Sequence, residues 1–181
     1  MFKIFFFLTF LSSPLFASGI VISVDGEANG EIVIDLFEDI APRHVERITT
    51  LASDGLYNGV VFHRVIKGFM AQTGDVKFGK STGDLLMAGM GGSELPNLDQ
   101  EFSDLNYDRG IVGMARSQDP DSANSQFFIM FDEGSFLNGQ YTVIGKVING
   151  LDVLDSIKIG EGANGTILGS PDVMRTVKVI K

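Results

Sequence analysis

Arg64, Phe69, Met70 and Gln72 bring one permanent cation, two bulky apolar groups and a side-chain amide together within nine residues. Further along, Gln126 and Phe128 again set an amide beside an aromatic ring, and Phe136-Leu137 supplies another apolar pair. Phe69, Met70, Phe128 and Leu137 would wall a concave apolar site, with Arg64, Gln72 and Gln126 as its few oriented polar groups. A guanidinium needs no pKa tuning, and its rigid fork fixes where its N–H groups point. A donor of that kind in a water-poor pocket suits electrostatic stabilisation of a polar group, with no covalent step. Taken singly, Arg64 reads as a strand arginine paired with an acid, and each apolar residue as core. Their grouping argues for a site.

The elements that must position these residues are short. Val60 to Ile66 is β-branched and apolar except for His63 and Arg64, so it predicts a strand that Lys67-Gly68 ends. Period-2 alternation puts Phe62, Arg64 and Ile66 on one face, and Val61, His63 and Val65 on the other. Gly19–Val24 and Gly30–Phe37 alternate about a turn-rich link and predict a hairpin. Pro42 opens a helix carrying Val45, Ile48, Leu51 and Ala52, which Gly55 stops. From Gly74 to Ile111 the pattern dissolves into a long Gly-rich surface loop, with a short strand piece expected at Glu101-Phe102. Ile111–Ala115, Gln126–Phe131, Tyr141–Val147 and Met174–Ile180 read as strands, and Leu151, Leu154 and Ile157 as a second short helix. Short strands with two isolated helices predict a mainly β, antiparallel domain; periodicity leaves sandwich and barrel open.

The stretch Phe62 to Asp75, with Gly113-Met114-Ala115, Ser125-Gln126-Phe127-Phe128-Ile129 and Phe136-Leu137-Asn138-Gly139, resembles the cyclophilin family of peptidyl-prolyl cis-trans isomerases. The likeness runs in family order from about Ile20 to the C-terminus. It implies a closed eight-stranded antiparallel β-barrel with a capping α-helix over each end. It also implies acceleration of X-Pro bond rotation in unfolded or extended chains, without a cofactor or metal. By the same resemblance Arg64 matches the catalytic arginine, with Gln126 near the substrate carbonyl. The prolyl ring would sit among Phe69, Met70, Phe128 and Leu137, and Gln72 with the Ala115–Arg116 backbone would hold the main chain. Phe136 and Tyr141 stand where the family often carries Trp and His. Both remain aromatic, but the indole N–H that cyclosporin-type peptides use is missing. Arg116 and the longer Ser117–Asn124 loop also depart from the animal pattern of the family, and the Gly79–Pro96 insertion has no counterpart in its short members.

Composition bounds the rest. The 181 residues suit one domain, and an apolar content of 44% is enough for a sizeable core. A net charge of −9 argues against a nucleic-acid partner, and the absence of Cys excludes disulfides, thiolate metal sites and a Cys nucleophile. Residues 1–17 have a basic start, an apolar run from Ile4 to Leu11 and a break at Ser12-Ser13-Pro14. That is the layout of a cleaved signal peptide, leaving a domain of residues 18–181 that is exported, in a bacterium to the periplasm. No later segment is long and apolar enough to span a bilayer, and a monomer with proline-containing clients is expected.

Other motifs fall short of a site. His63 reads as a packed or hydrogen-bonded histidine, His44 has no obvious partner, and the two make no zinc spacing. Asp119-Pro120-Asp121 lacks the Gly and Glu of a calcium loop, and Gly89-Met90-Gly91-Gly92 lacks the P-loop Lys. A binding module without catalysis and a small outer-membrane barrel are the rival readings. The barrel would need strands of about 9–11 residues with lipid-facing apolar bands, longer than those read here.

Overall fold

The computed structural model of the chain describes residues 18–181, so the leader reading of residues 1–17 lies outside the described residues. Nine strands follow in order: β1 (Gly19–Asp25), β2 (Gly30–Leu36), β3 (Val60–Val61), β4 (Arg64–Ile66), β5 (Met70–Thr73), β6 (Ile111–Met114), β7 (Phe127–Met130), β8 (Val143–Asn149) and β9 (Val173–Ile180). Helix α1 (Pro42–Ser53) comes between β2 and β3, and α2 (Leu151–Asp155) between β8 and β9. All nine strands belong to one sheet, ordered β3-β9-β1-β2-β8-β6-β7-β5-β4, with antiparallel neighbours throughout.

The hairpin is as expected. Ile20 faces Ile34 and Ile22 faces Ile32 across β1 and β2, and all four are buried. Helix α1 lays Val45, Ile48, Leu51 and Ala52 onto the sheet beside β9. Each such aliphatic side chain contributes roughly 1.5–3 kcal/mol by leaving water. Ala41 gives the helix no side-chain cap. The carboxylate of Glu101 does so instead, accepting the backbone N–H groups of Arg43 at 3.3 Å and His44 at 3.1 Å. It also accepts from His44 Nδ1 at 2.6 Å. His44 therefore has a partner that the sequence did not show, and Glu101-Phe102 is irregular cap and not a strand.

The sheet curls but departs from a closed barrel of eight strands. It has nine, and its two edges, β3 and β4, are successive pieces of the stretch read as one strand. Between them Phe62 and His63 leave the ladder. Phe62 N–H donates to Asp172 O at 2.9 Å, and His63 O accepts from Ile167 N–H at 3.3 Å. Val60 and Val61 pair with β9, whereas Arg64 to Ile66 pair with β5. No β3–β4 ladder forms, so the hydrogen-bonded ring stays open there. The interruption also shifts the alternation by one residue. Phe62 joins Val60 and Val65 in the main core and does not share the face of Arg64 as continuous alternation would have it.

The sheet has an apolar cluster on each side where β4, β5, β7 and β6 meet. On one side, Val65, Ala71, Ile129 and Val112 line up in register and enter the main core. On the other, Met70, Phe128 and Met130 form a smaller cluster with Tyr107, Ile111, Leu137 and Val143. A second cluster on the outer face of a sheet is what gives Arg64 something to overlook.

Candidate active site

Register assembles the site. Arg64 lies opposite Gln72, Gln72 opposite Phe128 and Phe128 opposite Gly113, so these four share a row and a face across β4, β5, β7 and β6. The next row along is Ile66, Met70 and Met130. Gly113 is required by its neighbours: a Cβ there would come within 2.6 Å of Phe128 Cζ and would also strike Tyr107 Oη. Its bare backbone lets Phe128 stack on Tyr107 at 5.7 Å between centroids. Phe128 meets Tyr141 edge-on at 5.8 Å, and Phe69 packs on Phe136 at 5.4 Å. Met70, Phe128 and Leu137 are buried as the floor, whereas Phe136 is 63% exposed at the lip. The four expected walls thus belong to one outer-face cluster, Phe69 packing on its edge.

Arg64 extends to that cluster. Its Nη1 donates to Gln72 Oε1 at 3.1 Å and lies 3.8 Å from Met70 Sδ. Its other edge is held by Asn164: Nε donates to the backbone carbonyl and Nη2 to Oδ1, both at 3.0 Å. Of five N–H groups, three are thereby fixed, leaving one on Nη1 toward Met70 and one on Nη2. Burial lowers the guanidinium pKa, but the group stays charged at any ordinary pH. Asn164 was missed in the sequence because it is 100 residues away. An Asn-Gly pair in a late loop signals only a turn.

Gln72 passes the arrangement on. Its Nε2 donates to Gln126 Oε1 at 2.9 Å, and Gln126 Nε2 donates to the carbonyls of Gly89 at 2.9 Å and Gly91 at 2.8 Å. Both amide N–H groups of Gln126 are therefore spent on the Gly-rich loop, and the side chain is a strut between that loop and Gln72. Asp75, fully buried, pins the same loop. It accepts backbone N–H groups of Lys77 and Phe78 on Oδ1 and of Gly89 and Gly91 on Oδ2, all at 2.8–3.0 Å. His63 packs beneath: a Cβ on Gly89, whose φ is +94°, would lie 2.8 Å from its imidazole. Burial pushes the His63 pKa down to about 4 against the pull of Asp75, so the ring is neutral and packed, as expected.

Arg116 closes the opposite lip. Its guanidinium lies 4.4 Å from the centroid of Tyr141 and donates to the backbone carbonyls of Gln140, Ser117 and Gln118. Arg116 is thus a brace that stacks on an aromatic wall. Ala115 N–H is paired with Gln126 O at 2.9 Å. Adjoining the dish at Gln72 is a cleft of about 590 Å³, lined by Gln72, Gln126, Ala115, Arg116, Ser122 and Gly89–Ser93, among others; Arg64, Met70, Phe128 and Leu137 do not line it. No group of three or more His, Asp or Glu side chains suited to a metal occurs among the described residues.

The chain is similar to known proteins in sequence and in fold. The family described as cyclophilin type peptidyl-prolyl cis-trans isomerase/CLD matches residues 20–179. A probable peptidyl-prolyl cis-trans isomerase of Brucella suis is 56% identical over 155 residues, covering 84% of this chain and 76% of that protein. Peptidyl-prolyl cis-trans isomerase 10 of Caenorhabditis elegans is 41% identical over 131 residues, 72% of this chain and 77% of that protein. Among solved structures, a cyclophilin-type isomerase of Cryptosporidium parvum, crystallised in the presence of the dipeptide Ala-Pro, superposes with a TM-score of 0.75 at 29% identity. The match covers 90% of this chain and 99% of that one. A cyclophilin of Hirschia baltica gives a TM-score of 0.71 at 28% identity, over 88% of this chain and 72% of that one.

Proposed function

The chain belongs to the cyclophilin-type peptidyl-prolyl cis-trans isomerase family, and from that membership we propose how its own residues turn an X-Pro bond. It is a peptidyl-prolyl cis-trans isomerase, an enzyme that assists folding by accelerating rotation about X-Pro bonds.

The uncatalysed rotation must cross a barrier of roughly 18–20 kcal/mol, because resonance gives the C–N bond partial double character. On twisting, the nitrogen lone pair leaves conjugation and the nitrogen becomes a hydrogen-bond acceptor. A donor aimed at that nitrogen stabilises the twisted state more than the planar one, which is what acceleration requires. Arg64 is that donor. Asn164 and Gln72 fix its plane, and Nη1 lies 3.8 Å from Sδ of Met70, which clusters with Phe128 and Leu137 in the apolar floor. The prolyl ring rests on that floor between Phe69 and Tyr141 and displaces water from the apolar surface beside the donor. One such donor contributes on the order of 3 kcal/mol, about a hundredfold in rate.

Gln72 has one N–H left after its bond to Gln126 and holds the neighbouring peptide, together with the Ala115–Arg116 backbone. Gln126 serves the site through Gln72 and the loop, since its own donors are occupied. The observation that carries the reading is the Arg64 head group fixed on both sides at the edge of an apolar dish. Proline-exchange rates of the Arg64→Lys and Arg64→Ala variants test it. We also read residues 1–17 as a cleaved leader, so that the mature monomer acts on unfolded chains outside the cytoplasm. N-terminal sequencing of protein recovered from a periplasmic fraction should begin at Ser18; an intact Met1 contradicts export by cleavage.

A further inference from the structure

The side chains of Leu86, Met87 and Met90 have no place in the chemistry beside Arg64. A 3₁₀ turn at Leu85–Met87 begins at Asp84, whose carboxylate accepts Leu86 N–H at 3.0 Å, and Met90 N–H returns to Met87 O at 3.0 Å. This short turn shows its apolar side chains to solvent: Leu86 is 87% exposed, Met90 72% and Met87 46%. Scattered exposed apolar residues are ordinary, but three within five positions on one turn make a patch.

Two further facts direct the patch to a partner. The chain on either side of Met90 is held in place, because Asp75 and Gln126 grip both polar groups of Gly89 and Gly91, and Asn124 Oδ1 accepts Ser93 N–H at 2.7 Å. An apolar surface ordered in advance loses little conformational entropy when something covers it. The patch also reaches the cleft through one of its members, since Met90 lines it together with Gln72, Ala115 and Arg116.

We propose that Leu86, Met87 and Met90 form an apolar outer subsite of the isomerase groove, engaging an apolar side chain of an unfolded client several residues away from the proline. The proposal rests on the reading that a client chain with its proline beside Arg64 runs on past Gln72 into the cleft. An unfolded chain lying in that cleft passes the patch and supplies apolar side chains that a folded partner has buried. The flexible thioethers of Met87 and Met90 can adapt to different side chains. A second copy of this chain is the less fitting occupant, because each copy carries a net charge of −9 and like charge opposes association.

The test uses dye-labelled peptides: a short one with proline between alanines, and longer ones with leucine or serine placed two to six positions before or after the proline. Binding is measured by anisotropy for the full mature protein and for the Leu86→Gln/Met87→Gln double variant, both positions being exposed and outside the catalytic residues. In the wild type, leucine on one side of the proline should tighten binding about tenfold over serine. The double variant should lose that gain yet turn over the short peptide at the wild-type rate. Equal leucine gains in both proteins overturn the subsite, as does no gain in the wild type. A concentration-dependent dimer of the wild type that the variant lacks assigns the patch to self-association and overturns it too. Failure of the wild type to turn over the short peptide would sink the reading of the cleft as well.

Discussion

Asn164 holds Arg64 with two atoms of one residue, its backbone carbonyl on Nε and its Oδ1 on Nη2, each at 3.0 Å. To do so it adopts φ +56°, the one positive φ at a residue other than glycine among the described residues. Asn tolerates that left-handed conformation better than other side chains, which pay about 1–2 kcal/mol for it.

Removing half of the clamp should therefore affect rate more than binding. Asn164→Gly keeps the backbone acceptor and the conformation but loses Oδ1. One hydrogen bond of about 1 kcal/mol predicts roughly a fivefold lower kcat with KM little changed. Asn164→Ala should show the same kinetic loss plus a lower Tm from backbone strain. Wild-type kcat in both variants would show that Asn164 does not position Arg64.

Gly113→Ala probes the floor of the dish from beneath. The added methyl meets Phe128 Cζ at 2.6 Å and the Tyr107 ring, so Phe128 must tilt away from its stack. Overpacking of this kind costs about 1–3 kcal/mol, and the displaced ring should raise KM for proline peptides several-fold. An unchanged KM would place the prolyl ring elsewhere.

Buried His63 gives stability a defined pH dependence. His63 has its pKa at about 4 in the folded protein, against an ordinary value of 6.5, so the unfolded chain binds its proton first as pH falls. This contribution is complete above about pH 6.5 and is lost progressively toward pH 4, to a limit of about 3 kcal/mol. Burial shifts His44 in the same direction. Thermal melts across that range should show Tm falling with pH, and His63→Gln should flatten the slope; a variant with the wild-type slope contradicts the assignment.

Phe136 predicts the response to cyclic peptide inhibitors. It lies 63% exposed against Phe69 and offers no N–H. Cyclosporin should inhibit weakly, and Phe136→Trp should strengthen inhibition by supplying the indole donor. Nanomolar inhibition of the unaltered protein in a coupled proline-isomerisation assay would refute this.

The sequence singled out the walls and the guanidinium by their residue types, their grouping and the family resemblance; only the Arg64–Gln72 pairing is local, across the β4–β5 hairpin, and Phe128 joins it from a distant strand. What stayed hidden depends on contacts remote in sequence. Glu101 caps a helix 58 residues earlier, and Asn164 meets Arg64 from 100 residues away. The break at Phe62-His63 was hidden for a different reason. A β-branched run with one polar residue per face looks continuous, and only the separate pairings of β3 with β9 and β4 with β5 reveal the interruption. Gln126 was recognisable as a site residue, but its commitment to Gly89 and Gly91 required the loop to be placed.

The most direct test of the account is the rate of cis-trans exchange in a proline peptide, measured by NMR with wild type, Arg64→Lys and Arg64→Ala at equal occupancy. Both variants should bind the peptide and keep the fold. Both should also exchange at least tenfold more slowly, because an ammonium cannot replace a fork held by Asn164 and Gln72. Exchange at the wild-type rate in either variant would contradict the central role given to Arg64.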